Sequence, residues 1–188
     1  VPGGHRIGMG ALPAALAADR DAAFPHVVRA LIDGVYSGAL RMTGSRADAE
    51  DVAQEAFLRA YRALGGYSPE RIRELRLREW VWAIAANLCR NRERSRRRRP
   101  QEALPSQAAL ADPAPGPEDR ALAAAGGEAL AAHLARLPWA QRAAVVLRHV
   151  TGLSYAEVAV ALGRPIGTVK ADVHRGLQRL RSLLEEER

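Results

Sequence analysis

Apolar residues along this chain recur at three- and four-residue steps, the spacing of helices with one buried face. Phe24, Val27, Val28, Leu31, Ile32, Val35 and Tyr36 form a continuous stripe that Leu40 extends and Gly44–Ser45 breaks. Ser45 and Asp48 make an S-x-x-D start for a second helix over 46–64, with Ala49, Val52, Ala53, Ala56, Phe57, Ala60 and Leu64 buried. Gly65–Gly66 ends it, a loop opens at Tyr67–Pro69, and the charged stretch Arg71–Arg78 is partly helical. A third helix spans Trp80–Arg99, with Val81, Ile84, Ala85 and Leu88 turned to a core.

Pro100–Asp119, rich in proline and small residues and without aromatics, interrupts the helical pattern and reads as a flexible linker. Its twenty residues reach several tens of ångströms if extended. Beyond it, Ala121–Leu137 is Ala/Leu-rich and helical, and Pro138 suits the first turn of a helix over Trp139–Val150 that buries Ala143, Val146, Leu147 and Val150. Thr151–Gly152 is a turn. Ser154 and Glu157 form a capping box opening Tyr155–Leu162, and Gly163 stops that helix. The last helix runs from about Thr168 into the 180s on a stripe of Val169, Val173, Leu177, Leu180 and Leu184. A short helix, a brief turn and a longer basic helix make a helix-turn-helix.

The expected fold is therefore all-α: two small helical domains, 20–99 and 120–188, joined by the linker 100–119, with the helix-turn-helix in the second. Residues 1–19 are expected to be a disordered tail, Gly-rich and aperiodic through Leu12, with a helical pattern from about Ala14.

The polar faces carry the chemistry. Trp80, Asn87, Asn91, Arg94 and Arg98 share one face of the third helix, which runs into Arg96–Arg99. Arginines for phosphates, an aromatic for stacking and amides for base edges suit nucleic acid; a solvated, arginine-rich helix end with a core tryptophan is the plainer reading. Asp48, Asp51 and Glu55, with Gln54 beside them, share a face of the second helix, and Arg59 and Arg62 follow late. The helix dipole explains that order. It does not explain why the acids share a face, which suits docking of a basic protein. On the last helix Thr168, Lys170, Ala171, Asp172, His174, Arg175 and Arg179 are left for solvent or a ligand.

Net charge of +7 over 188 residues, with pI near 10.6, favours a polyanionic partner. No apolar run approaches the roughly 20 residues of a membrane-spanning helix, and the N-terminus lacks the apolar core of a signal peptide. A single cysteine, Cys89, forms no internal disulfide and fits a cytoplasmic location. It reads as a small buried hydrophobe rather than a redox sensor. His26, His133, His149 and His174 have no metal-ligand spacing, and neither a phosphate loop nor a nucleophile–base pair is present. We expect no cofactor, no metal and no catalysis.

These features together resemble bacterial RNA polymerase sigma factors of the extracytoplasmic-function (ECF) type, in the sigma-70 family. The residues that carry the resemblance are Asp48–Leu64 (DAEDVAQEAFLRAYRAL), Arg78–Arg99 and Leu137–Arg181. It implies that the first domain is like sigma region 2 and docks on the β′ clamp helices of core polymerase through Asp48, Asp51, Gln54, Glu55 and Phe57. It also implies capture of a flipped base of the −10 promoter element at Tyr67 and Asn87, with Trp80 nearby and Arg90, Asn91 and Arg94 along the same helix. The second domain then resembles region 4, reading −35 DNA with Thr168, Lys170, Ala171, His174, Arg175 and Arg179. Implied partners are core polymerase (β′ and β subunits), promoter DNA and an anti-sigma inhibitor of the kind the family often has. The segment between Tyr67 and Trp80 is longer than the family's usual loop. Asp172 stands where a basic or small residue is common; it either accepts from a cytosine amino group or pairs with Arg175 or Arg179. A stand-alone helix-turn-helix regulator is the rival, and it leaves the acidic face and the WVWAIAAN helix without a task.

Overall fold

The computed structural model describes residues 7–98 and 130–186, all helices and turns with no strand among them. The expected linker, residues 100–119, and the start of the helix at Ala121 lie outside the described residues.

Helix α1 (Leu12–Ala18) follows a 3-10 turn, Met9–Ala11. Helix α2 (Arg20–Thr43) starts at Asp19, whose carboxylate accepts from the Ala22 N–H at 3.0 Å, and stops at Gly44 with φ of 69°. Helix α3 (Arg46–Leu64) is capped by Ser45, which accepts from the Asp48 N–H. The short α4 (Pro69–Arg73) is capped by Ser68 and leads into α5 (Leu77–Arg98). Helix α6 is described over residues 130–135. Then come α7 (Trp139–Val145), a π-helical turn over Val146–Val150, α8 (Tyr155–Leu162) and α9 (Ile166–Glu186). Both hydrogen bonds of the Ser154–Glu157 capping box form, and Gly163 is left-handed with φ of 60°. These starts and stops fall where side-chain caps and Cβ-free residues put them.

Helices α2, α3 and α5 form a bundle, α7 and α9 pack together, and α8 lies on α5, so the two halves share a continuous core. Trp82, 2% exposed, is the largest fully buried side chain. It lies over α2 at Gly38, where an added Cβ would fall 2.6 Å from the indole, and the same point would meet the Thr151 methyl at 3.1 Å. One glycine thus admits the tryptophan of the first half and a loop of the second.

Three sequence expectations change. Residues 12–18 are not a disordered tail: they form α1, and Leu12 and Leu16 are completely buried because they lie four residues apart on one face. The buried stripe of α9 runs through Val169, Val173, Gly176, Leu180 and Leu183, while Leu177 and Leu184 are 40% and 51% exposed. Helices α7 and α9 cross at Gly176, where a Cβ would come within 2.7 Å of Val145, so the contact line follows a glycine that hydrophobicity alone passes over. Asp172, expected to face solvent, is buried.

Cutting Trp82 to alanine empties the middle of this core, and we expect Trp82→Ala to lower unfolding free energy by about 3–5 kcal/mol in urea titration. Cys89 is fully buried on α5, and burial pushes its thiol up to about 12. It is therefore protonated at neutral pH, and iodoacetamide at pH 7.5 is expected to leave it unlabelled in the folded protein and to label it in urea.

Candidate functional site

Three surfaces receive the residues singled out by the sequence. The first is a groove of about 710 Å³ between α3 and α5, lined by Asp48, Asp51, Gln54, Glu55, Leu58, Leu88, Asn91 and Arg92 among others. Its acids are not bare. Arg92 donates to Asp48 at 2.9 Å and Asp51 at 3.2 Å, Arg96 also bonds Asp48, and Arg59 pairs with Glu55 at 2.7 Å. The bond from Arg59 holds the Glu55 carboxyl below its ordinary range. Asp51 and Gln54 remain exposed, and Leu58, 43% exposed, adds an apolar contact that the stripe analysis did not single out. Its signal is its place on α3 one helical turn beyond Gln54 and off the buried stripe. Phe57, by contrast, is 5% exposed inside the bundle, so it supports α3 from beneath and presents no surface to a partner.

The second surface surrounds the start of α5. The Tyr67 and Trp80 rings are both half-buried, with centroids 6.0 Å apart and planes tilted by 52°. The Arg71 guanidinium lies 3.8 Å from the Tyr67 centroid, a cation–π contact that helps hold that ring. Further along α5, Asn87 and Arg90 are exposed and line a cavity of about 250 Å³ with Trp139, Ala143, Leu162 and Arg164 of the second half. Asn91 does not join them: a four-residue step turns about 40° past a full turn, and it faces the α3 groove. Arg94 is exposed beyond it.

The third surface is α8–turn–α9. Lys170, His174, Arg175 and Arg179 are exposed along α9, with Thr168 and Ala171 half-buried beside them. Lys170 Nζ stands 5.9 Å from the Tyr155 ring on α8. Asp172 accepts from Arg175 at 2.8 Å and from Arg164 in the turn. Its carboxylate therefore joins the turn to the exposed face of α9, the pairing with Arg175 that the sequence left as one of two readings. Arg175 keeps a 55% exposed side chain while tied to it.

Among the described residues no helix is long and apolar enough to cross a membrane, and no three His, Cys, Asp or Glu are grouped to hold a metal.

Residues 27–99 match the Sigma-70 region 2 model and residues 127–180 the Sigma-70, region 4 model. The chain is 40% identical over 160 residues to the ECF RNA polymerase sigma factor SigE of Mycolicibacterium smegmatis, covering 84% of this chain and 60% of that protein. It is 32% identical over 178 residues to the ECF RNA polymerase sigma factor SigW of Bacillus subtilis, covering 89% and 91%. In fold it is similar to CnrH, solved in complex with the cytosolic domain of CnrY, at a TM-score of 0.72 and 23% identity over 95% of this chain and 98% of that one. The sigma factor RpoE of Bartonella quintana, solved with the anti-sigma factor NepR, gives 0.66 and 24% over 88% and 98%. With both sigma-70 regions in order, and a relative matched along nine tenths of its length, the chain belongs to the ECF RNA polymerase sigma factors of the sigma-70 family.

Proposed function

We propose that this chain is a non-catalytic promoter-specificity subunit: it binds core RNA polymerase, carries it to promoters with particular −35 and −10 elements, and helps open the DNA. The observation that carries this reading is the presence in one chain of a helix-turn-helix with an exposed basic face and a second helical unit bearing a polar groove and an aromatic pair. A duplex reader alone needs only the first.

In this reading residues 20–99 are the polymerase- and −10-binding domain, and 120–188 the −35 domain. Asp51, Gln54, Glu55 and Leu58 on the α3 side of the groove meet the β′ clamp helices, with Asp48 behind them holding Arg92 and Arg96 in place. A splayed −10 base stacks at Tyr67 and Trp80, with Asn87 and Arg90 next along α5. Unstacking a base costs a few kcal/mol and each aromatic contact returns about 1–3 kcal/mol, so polymerase contacts supply the remainder. Helix α9 enters the −35 major groove, Lys170 meeting phosphate and Arg175 a guanine edge. Because α8 lies on α5 and closes the space beside Asn87, strand binding there entails withdrawal of the second half, which the length of residues 100–119 allows. An anti-sigma protein that binds either half would act as the inhibitor.

Run-off transcription over a promoter library, with core polymerase plus and minus this chain, tests the reading. Initiation on a subset sharing −35 and −10 blocks is the expected result; no initiation, with duplex bound by the chain alone, would instead point to a stand-alone regulator. Asp51 is exposed, so Asp51→Arg is expected to preserve the fold yet abolish core binding in a pull-down. Arg175→Ala is expected to cost about 1–3 kcal/mol at one matched base pair of the −35 element, measured by binding across −35 variants. An equal loss on every sequence would make Arg175 a phosphate contact.

A further inference from the structure

Helix α1 and Arg20 precede Val27, where the region 2 match begins, yet they are built into the segment that carries Tyr67. That segment has little of its own to hold it. Helix α4 is five residues long and buries only Ile72, and a helix so short is not stable without tertiary support. Support comes from α1, which packs on α4 and α2; Leu16 shares one buried core with Leu64 and Ile72, Tyr67 packs against that core, and all four line one shallow groove.

Arg20 holds the other end. Its guanidinium lies 4.4 Å from the Tyr61 ring centroid, bonds the Tyr61 hydroxyl at 3.2 Å and pairs with Asp21 at 2.9 Å; the Tyr61 hydroxyl in turn donates to Asp21 at 2.8 Å. The same guanidinium covers Gly65, where an added Cβ would come within 2.7 Å of Nη1. The turn at Gly65–Gly66 thus runs directly under Arg20, and the Tyr67 N–H bonds the Leu64 carbonyl at 3.2 Å.

We infer that Leu12, Leu16 and Arg20 are positioning residues for −10 recognition: they fix residues 65–76 so that Tyr67 stands beside Trp80 before any DNA arrives. The inference rests on the reading of Tyr67 and Trp80 as the −10 strand site. Pre-organisation of this kind lowers the ordering cost of capturing a base, so loosening the segment weakens strand binding without touching the strand.

The test uses the full chain assembled with core polymerase and measures affinity for a single-stranded −10 oligonucleotide beside affinity for core. Leu16→Ala and Arg20→Ala are expected to weaken oligonucleotide binding about 10-fold, within the range a lost stacking contact spans, and to leave core affinity within about twofold. Leu16→Met, which refills the volume, is expected to restore binding. Added to Tyr67→Ala, neither alanine change is expected to cause further loss, because all act on one contact. If Tyr67→Ala weakens the oligonucleotide and both Leu16→Ala and Arg20→Ala bind normally, or their losses add to it in full, the positioning role is overturned while the strand site stands. If Tyr67→Ala itself is without effect, the strand site is overturned and the positioning role with it. Arg20 is a surface side chain, so its variant decides the matter even where Leu16→Ala fails to fold.

Discussion

The structure depends most on one buried cation. Arg142, on α7, is 2% exposed, and a guanidinium so placed is destabilising unless its N–H groups are met; here both Nη groups are met and Nε has no partner among the described residues. Nη1 donates to the Met42 carbonyl at 2.8 Å; Nη2 donates to the Ala135 and Leu137 carbonyls at 3.0 and 3.2 Å; Glu93 on α5 lies 3.4 Å away. Met42 is the penultimate residue of α2, where carbonyls have no partner within their own helix. Ala135 ends α6 in the same way, and Leu137 lies two residues beyond it, in the turn before α7. One side chain from the second half therefore closes two helix C-termini, one in each half, at their electronegative ends. Arg96 does likewise for the Thr43 carbonyl at 2.8 Å, so the end of α2 is finished by arginines from elsewhere in the chain.

The same economy governs the acids. In a chain of net charge +7, Asp48, Asp51, Glu55, Glu93 and Asp172 each sit against one or two arginines. Exposed pairs of this kind contribute little stability. Their effect is on orientation: an arginine held by a carboxylate loses rotamer freedom. Asp172 does this for Arg175 from a buried position three residues earlier on α9, and Asp48 does it for Arg92 and Arg96 along the groove. A lone carboxylate on a basic helix face repels an anion. Bonded to two arginines it becomes part of a cationic array with fixed geometry.

How far the sequence discloses this varies with the kind of interaction. Local signals read true: Ser45 caps α3, Ser154 and Glu157 box the start of α8, Gly44 and Gly163 take the left-handed turn, and helix α3 has the expected bounds. Each depends on residues within four positions of one another. What the sequence hides is set by contacts between distant segments. Arg142 is one of 28 Lys and Arg residues and nothing near it marks it as buried. Trp80 and Trp82 differ by two positions, so one stays half-buried at the surface and the other anchors the core; helical spacing places Trp80 on the polar face but assigns nothing to Trp82, because α2 had first to offer Gly38. Helix α1 is short, follows a glycine-rich stretch and packs chiefly on α2 and α4, which a local pattern cannot see. Asn87 and Asn91 look equivalent until α3 and α8 occupy different sides of α5.

Gly38 shows why these long-range contacts cannot be treated one at a time. Trp82 needs it empty, and Thr151 of the second half approaches the same space. Arg78, two residues before Trp80, donates to the Thr151 carbonyl at 2.8 Å and reaches Glu157 at the start of α8. One place where the second half touches the first is thus also the place where α5 is seated, close to the Tyr67–Trp80 pair. Departure of the second half would part Arg78 from Thr151 and Glu157, and Glu93 and the Met42 carbonyl from Arg142, while Trp82 kept its seat on α2. Helix α5 would then still be held on α2 and α3, by Trp82 at Gly38 and by Arg92 and Arg96 at Asp48, while Asn87 and Arg90, which line the cavity with the second half, would be uncovered.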